Sequence, residues 1–119
     1  MSKIRALVSI DSPEGNQAYE VDAILQDNNL KYKENKETKV MFSYLNNNLV
    51  RENDELRMEY LFLENKTTKG NIFIKELNKK INVDIKTKSI KRKSNDIEIV
   101  FNVENNKFVY RVEVIKWVF

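Results

Sequence analysis

The 119-residue chain contains no cysteine and no histidine. Without thiols there are no disulfides and no thiolate chemistry. Without imidazole there is no Ser-His-Asp or Cys-His constellation, and no zinc site of the usual kind. Any catalysis would rest on Asp, Glu, Lys, Tyr or a borrowed cofactor, so an enzyme is the least favoured class. No catalytic residue, cofactor or metal is assigned. Glycine occurs twice and proline once, which rules out a glycine-rich phosphate loop. No apolar run approaches the roughly 18 residues of a spanning helix, and no membrane partner is expected. Met1, Ser2, Lys3, Ile4 and Arg5 are not followed by a signal-peptide core, so a cytoplasmic location is the expectation.

What is present is alternation. Hydrophobic residues make up 41% of the chain and charged residues 33%, a globular balance. Its length suits one domain, 1–119. Apolar side chains recur at every second position, the mark of strands with one buried face. In residues 97–119 the lines are Ile97, Ile99, Phe101, Val103 and then Phe108, Tyr110, Val112, Val114, Val118, broken by Lys116. Upstream, Ile4, Ala6, Val8, Ile10 and Tyr19, Val21, Ala23, Leu25 form a first pair, with a turn at Ser12, Pro13, Glu14 and Gly15. Shorter strands follow at Leu30 and Tyr32, at 39–45, at Leu49 and Val50, and at Leu56 to Phe62. In 39–45 both faces are partly apolar: Val40, Phe42 and Tyr44 oppose Met41 and Leu45. Residues 65–71 read as the longest irregular stretch. Ile72 to Ile74 and the long line Ile81, Val83, Ile85, Thr87, Ser89 come next.

Sixteen asparagines, many between apolar runs, take the turn role that glycine usually fills. No segment carries a helical period; the best short candidate, residues 75–80, is too brief. Nine or ten strands joined by turns of two to five residues fit a sandwich or a closed barrel. Short sequential connections favour the barrel, which also removes exposed edges. The expected fold is an all-β, closed antiparallel up-and-down barrel of about 8–10 strands.

The opening strand into Gly15, Asn16 and Gln17, the block 39–45, and the run Asp84-Ile85-Lys86-Thr87-Lys88-Ser89-Ile90 before the final hairpin together resemble the YwiB-like family of small bacterial proteins. The likeness rests on order and length over nearly the whole chain. It implies a calycin-like (lipocalin-like) barrel and carries no known activity.

Function is not legible at this level, but candidate sites are. A barrel interior lined by Tyr19, Tyr32, Tyr44, Tyr60 and Tyr110 would hold a small apolar or amphipathic ligand, or be filled by those side chains. Thr87, Ser89 and Lys116, if inward, add a polar element at the interior or mouth. Residues 1–60 hold 8 Lys+Arg against 11 Asp+Glu, and residues 61–119 hold 13 against 7. The densest basic run is Lys86, Lys88, Lys91, Arg92 and Lys93. It is either an anion- or RNA-binding surface or a solvated turn. Val109, Ile115, Trp117 and Phe119 form an outward apolar line, the expected interface of a homodimer through the last strand.

Overall fold

The structure, a computed structural model, describes residues 1–118. Ten strands follow one another: β1 (Ser2–Ser12), β2 (Gly15–Gln26), β3 (Asn29–Lys33), β4 (Lys39–Ser43), β5 (Asn48–Glu52), β6 (Leu56–Leu61), β7 (Lys66–Ile74), β8 (Lys79–Lys93), β9 (Asp96–Val103) and β10 (Asn106–Val118). Each pairs antiparallel with its sequence neighbours, and β1 pairs with β10 to close the barrel. The fold expected from alternation is the fold found.

Directly paired residues share a face of the sheet, so register assigns the interior. Ile4, Ala6, Val8, Leu30, Phe42, Phe62, Ile85, Ile99, Tyr110 and Val112 all turn inward and are almost wholly buried. Each such Val, Leu, Ile or Phe side chain contributes about 1.5–3 kcal/mol over its exposed state. The aromatics interlock: Phe62 and Phe101 have centroids 4.7 Å apart, Phe42 and Tyr44 meet edge-on at 5.1 Å, and Phe101 stacks on Phe108 at 5.6 Å. Ten strands enclose a wider bore than eight. Here large rings fill it.

Asparagine does the turn work. Asn28, Asn47, Asn65 and Asn78 all adopt positive φ, as do Asp27, Ser94 and Glu104. Asp27 and Asn28 form a two-residue hairpin turn with φ of 54° and 65°, the type that matches strand twist. The short helix candidate at 75–80 is instead the turn 75–78 between β7 and β8 and the first two residues of β8, with Asn78 N–H donating to the Lys75 carbonyl at 3.2 Å.

Three expectations are corrected. Residues 65–71 are not irregular, since β7 already starts at Lys66. Thr67 and Thr68 favour extended backbone, and Gly70 sits inward because Tyr60 and Ile85 already occupy its space. A β-carbon there would lie 2.6 Å from Ile85 Cδ1 and 2.8 Å from Tyr60 Cδ1.

The second and third corrections share a cause, an extra residue in one strand of a pair, which reverses every later side chain. In β8 the ladder with β9 shifts between Thr87 and Ser89, after which Ser89 pairs with Val100 and Ile90 with Ile99. Ser89 is therefore on the outer wall, and Ile90 and Arg92 inherit the inward side. In β10, Val114 pairs with Ala6 but Lys116 pairs with Arg5 and Trp117 with Ile4. Lys116 therefore faces outward, and Trp117 is on the inner face at the rim, still 45% exposed.

Candidate functional site

Packing decides first what the interior can do. All five tyrosines point into the barrel, and Thr87 is 2% exposed among them. Tyr32 and Tyr110 share a hydrogen bond between their hydroxyls at 2.8 Å. Near that pair, at one mouth, Arg51 clamps Glu34 with two parallel bonds of 2.9 and 2.8 Å, the bidentate geometry in which Arg is strongest. The Tyr19 hydroxyl is shut off from solvent beside this group without a well-formed hydrogen bond, as is the Thr87 hydroxyl. Burial, and for Tyr19 the Glu34 carboxylate, pushes the Tyr19 and Tyr32 phenols upward. Burial likewise raises Tyr60 and Tyr110. These phenols stay neutral at physiological pH, so they are hydrogen-bonding groups and not nucleophiles.

The other mouth is strapped shut. The Tyr44 hydroxyl donates to the Asn95 carbonyl at 2.8 Å. Arg92 lies over the Tyr44 ring at 5.9 Å and donates to the Tyr44 carbonyl and the Asn47 side chain. Burial and the Asp96 carboxylate push the Tyr44 phenol up to about 12. The interior is a packed core with two tied ends, in which the buried Tyr19 and Thr87 hydroxyls lack a partner among the described residues.

Of the basic run, Lys86, Lys91 and Lys93 stand on the outer wall of β8, and Arg92 turns to the inner side. Arg92 is taken into this strap. Lys91 stands opposite Glu98 in the ladder, and Lys93 opposite Asp96, without forming an ion pair among the described residues. Glu98 in turn binds Arg111, which also reaches Asp11 at 2.7 Å. Lys86 shares a row with Asn102 and Lys107, and Lys88 sits at the bulge. Of these five cations, Arg92 is the one that the bulge and the alternation after it turn away from the outer wall.

The last-strand residues do not form one line. Val109 is on the outer wall opposite Val100 and is only 8% exposed. Ile115 is the extra residue of the bulge, 48% exposed, and Trp117 turns to the opposite face. Phe119 lies outside the described residues.

The largest concavity described is on the outer wall, a groove of about 730 Å³ across β2, β3, β4 and β5. Register builds it. One cross-strand row runs Ile24, Lys31, Met41, Val50. The next carries Lys33 against Lys39. Ile24, Met41 and Val50 thus supply an apolar floor, with Val50 8% exposed, Lys31, Lys33 and Lys39 a basic side, and Glu20 and Asp22 an acidic one on β2. Arg5 and Arg57 close the ends, each already held by carboxylates, Asp22 for Arg5 and Glu52 and Glu59 for Arg57. Lys31, Lys33 and Lys39 make no ion pair among the described residues. Lys33 and Lys39 oppose each other directly, an arrangement that like charges make unfavourable.

None of these groove residues was singled out from the sequence. Lys31 and Lys33 visibly share a face, and Met41 reads as outward and apolar. Only register brings them together with Val50 and Ile24.

No protein-family model matches the chain, and no curated protein does. Among solved structures it is similar to the crystal structure of the ywiB protein from Bacillus subtilis. That match has a TM-score of 0.58 and 14% sequence identity, covering 95% of this chain and 90% of that one. The likeness is one of fold. It extends over the whole barrel and carries no residue roles.

Proposed function

We propose that this protein is a binding module for a small amphipathic anion, and that its site is the outer groove and not the barrel interior. The observation that carries the reading is the juxtaposition of Ile24, Met41 and Val50 with the unpaired Lys31, Lys33 and Lys39. An apolar chain would cover the floor, and an anionic head would relieve the Lys33–Lys39 repulsion. A volume of about 730 Å³ is in the range of small-molecule sites. An interior site has less support, because aromatic rings occupy the bore. A meander barrel is the kind of scaffold that calycin-like ligand carriers use, and that kinship is part of the same proposal. The nucleic-acid reading of residues 86–93 is weaker, since Arg92 turns to the inner side and is held by the Tyr44 carbonyl and the Asn47 side chain.

Dodecanoate titrated into the labelled protein tests this. Amide shifts are expected at Lys31, Lys33, Lys39, Met41 and Val50, and the variant Lys33→Glu/Lys39→Glu should lose about tenfold in affinity as two exposed charge contacts are reversed. Unchanged affinity in that variant, or shifts confined to interior residues, would sink the reading.

A further inference from the structure

Closing a barrel from strands of unequal length leaves overhangs. β2 has 12 residues and β3 only 5, and their ladder covers Ala23 to Gln26 alone. The two-residue turn at Asp27 and Asn28 makes Gln26 and Asn29 a mutually bonded pair, so even-numbered residues of β2 address β3. The opposite hairpin agrees: Ser12 and Gly15 flank the turn of Pro13 and Glu14, so odd-numbered residues address β1. It follows that the N–H and C=O groups of Asn16, Ala18 and Glu20 point past the end of β3. They have no hydrogen-bond partner among the described residues.

The other overhangs are treated differently. Where β10 outruns β9, the Val114 N–H donates to Asp96 Oδ1 at 2.8 Å, and the bulge at Ile115 bends the strand. Where β8 outruns β9, the Asp84 N–H donates to Glu104 Oε1 at 3.3 Å, and the Glu104 N–H donates back to the Asp84 carbonyl at 3.0 Å. Where β7 outruns β6, the Lys66 N–H donates to the Leu63 carbonyl at 3.0 Å and the Thr68 hydroxyl donates to the Leu61 carbonyl. Proteins blunt open edges with caps, bulges, prolines and lysines. Residues 16–22 carry no cap, bulge, proline or lysine, only the carboxylates of Glu20 and Asp22, and their register with β1 is unbroken from Ser12 to Ser2.

We propose that this open edge of β2 is a strand-addition site for an extended, Lys- or Arg-bearing segment of a partner protein. The incoming strand would continue the line of β3, antiparallel to β2, bonding to Asn16, Ala18 and Glu20. Its basic side chains would meet Glu20, Glu14 and Asp22, the carboxylates on and beside this edge. Glu20 makes no ion pair among the described residues, and Asp22 is held only by Arg5. A second copy of β2 is a poor occupant. Self-pairing centred on Ala18 would set Glu14 against Asp22. The site shares Glu20 and Asp22 with the groove, but the Asn16 and Ala18 backbone groups lie beyond the groove, and the site does not depend on an anion being bound there.

The test uses the whole protein and a blocked peptide of about nine residues alternating Lys with Thr and Val, long enough to span the edge. Hydrogen exchange is expected to slow at the amides of Asn16, Ala18 and Glu20, with weaker binding as salt rises. A matching Glu-bearing peptide should give no such protection. Ala18→Pro removes one edge donor at a position where proline is tolerated, and should weaken binding about tenfold through that lost bond. Glu20→Lys leaves the backbone intact and should also weaken it, which covers the case of a misfolded proline variant. The proposal is overturned if millimolar Lys peptide leaves these amides unprotected, or if the Glu peptide protects them equally. Protection that rises with protein concentration in the absence of peptide, indicating self-pairing, also overturns it.

Discussion

Individual residues in this barrel are constrained mainly by what they would leave unpaired or overfilled. Tyr32 and Tyr110 illustrate the first case. Tyr110→Phe should cost about 1–3 kcal/mol, because a buried hydroxyl at Tyr32 loses its partner. The double variant Tyr32→Phe/Tyr110→Phe should recover most of that loss, which a denaturant double-mutant cycle would measure. Equal losses in single and double variants would show that the bond is not what matters. Gly70 illustrates the second case. Gly70→Ala should destabilise by about 1–3 kcal/mol, since its β-carbon meets Ile85 and Tyr60 below van der Waals distance. Ser94, at φ 60° in a two-residue turn, runs the other way. Ser94→Gly should raise the melting temperature modestly by removing left-handed strain of about 1 kcal/mol.

Strands behave as units because a single added or lost residue reverses a whole face. The bulge in β10 is the informative place. Deleting Ile115 would restore a continuous ladder, with Val114 still opposite Ala6 and Lys116 still opposite Arg5. That deletion should fold. Deleting Arg111, in the unbulged part of the same strand, shifts the inward line of every residue on one side of it and should abolish folding. Thermal melts of the two variants settle the matter; similar behaviour in both would contradict the assigned bulge. The same logic explains why Ser89 and Lys116 stand on the outer wall although strict alternation places them inside. A bulge has no obvious mark in the local sequence here, since it depends on which neighbouring residues must pair.

At the scale of the whole molecule, stability depends on closure and on five inward phenols kept neutral. The phenols of Tyr19, Tyr32, Tyr44, Tyr60 and Tyr110 are all raised above 10.0 by burial, Tyr44 to about 12. The folded state thus favours their protonated forms. Their stabilising contribution is complete below about pH 10, where unfolded tyrosine is also neutral, and is lost as pH climbs through the folded values. Alkaline unfolding should begin above that point, with phenolate absorbance and loss of circular dichroism rising together. Phenolate forming well before the fold is lost would show that the phenols are solvent-accessible. Truncation after Val112 would remove the partners of Lys3, Ile4, Arg5, Ala6 and Leu7. The barrel should then open, seen as a lower melting temperature and self-association through the freed edge.

Period-two alternation determined most of the strands and, up to each bulge, their inward faces, because side-chain direction in a strand is set by local backbone geometry. The short connections favoured a closed meander over a sandwich. Asparagine in the turns was equally readable, because left-handed conformation is a property of the single residue. Three features needed the tertiary structure. The bulges at Thr87/Ser89 and at Ile115 exist only in the pairing of one strand with another. The outer groove draws one or two residues from each of several strands, so its register had no counterpart in any one segment. The packing of the bore depended on strand number and shear, which place five tyrosines and four phenylalanines in one volume. The sequence placed the tyrosines inward, and only the closed barrel decided that they fill the space they face.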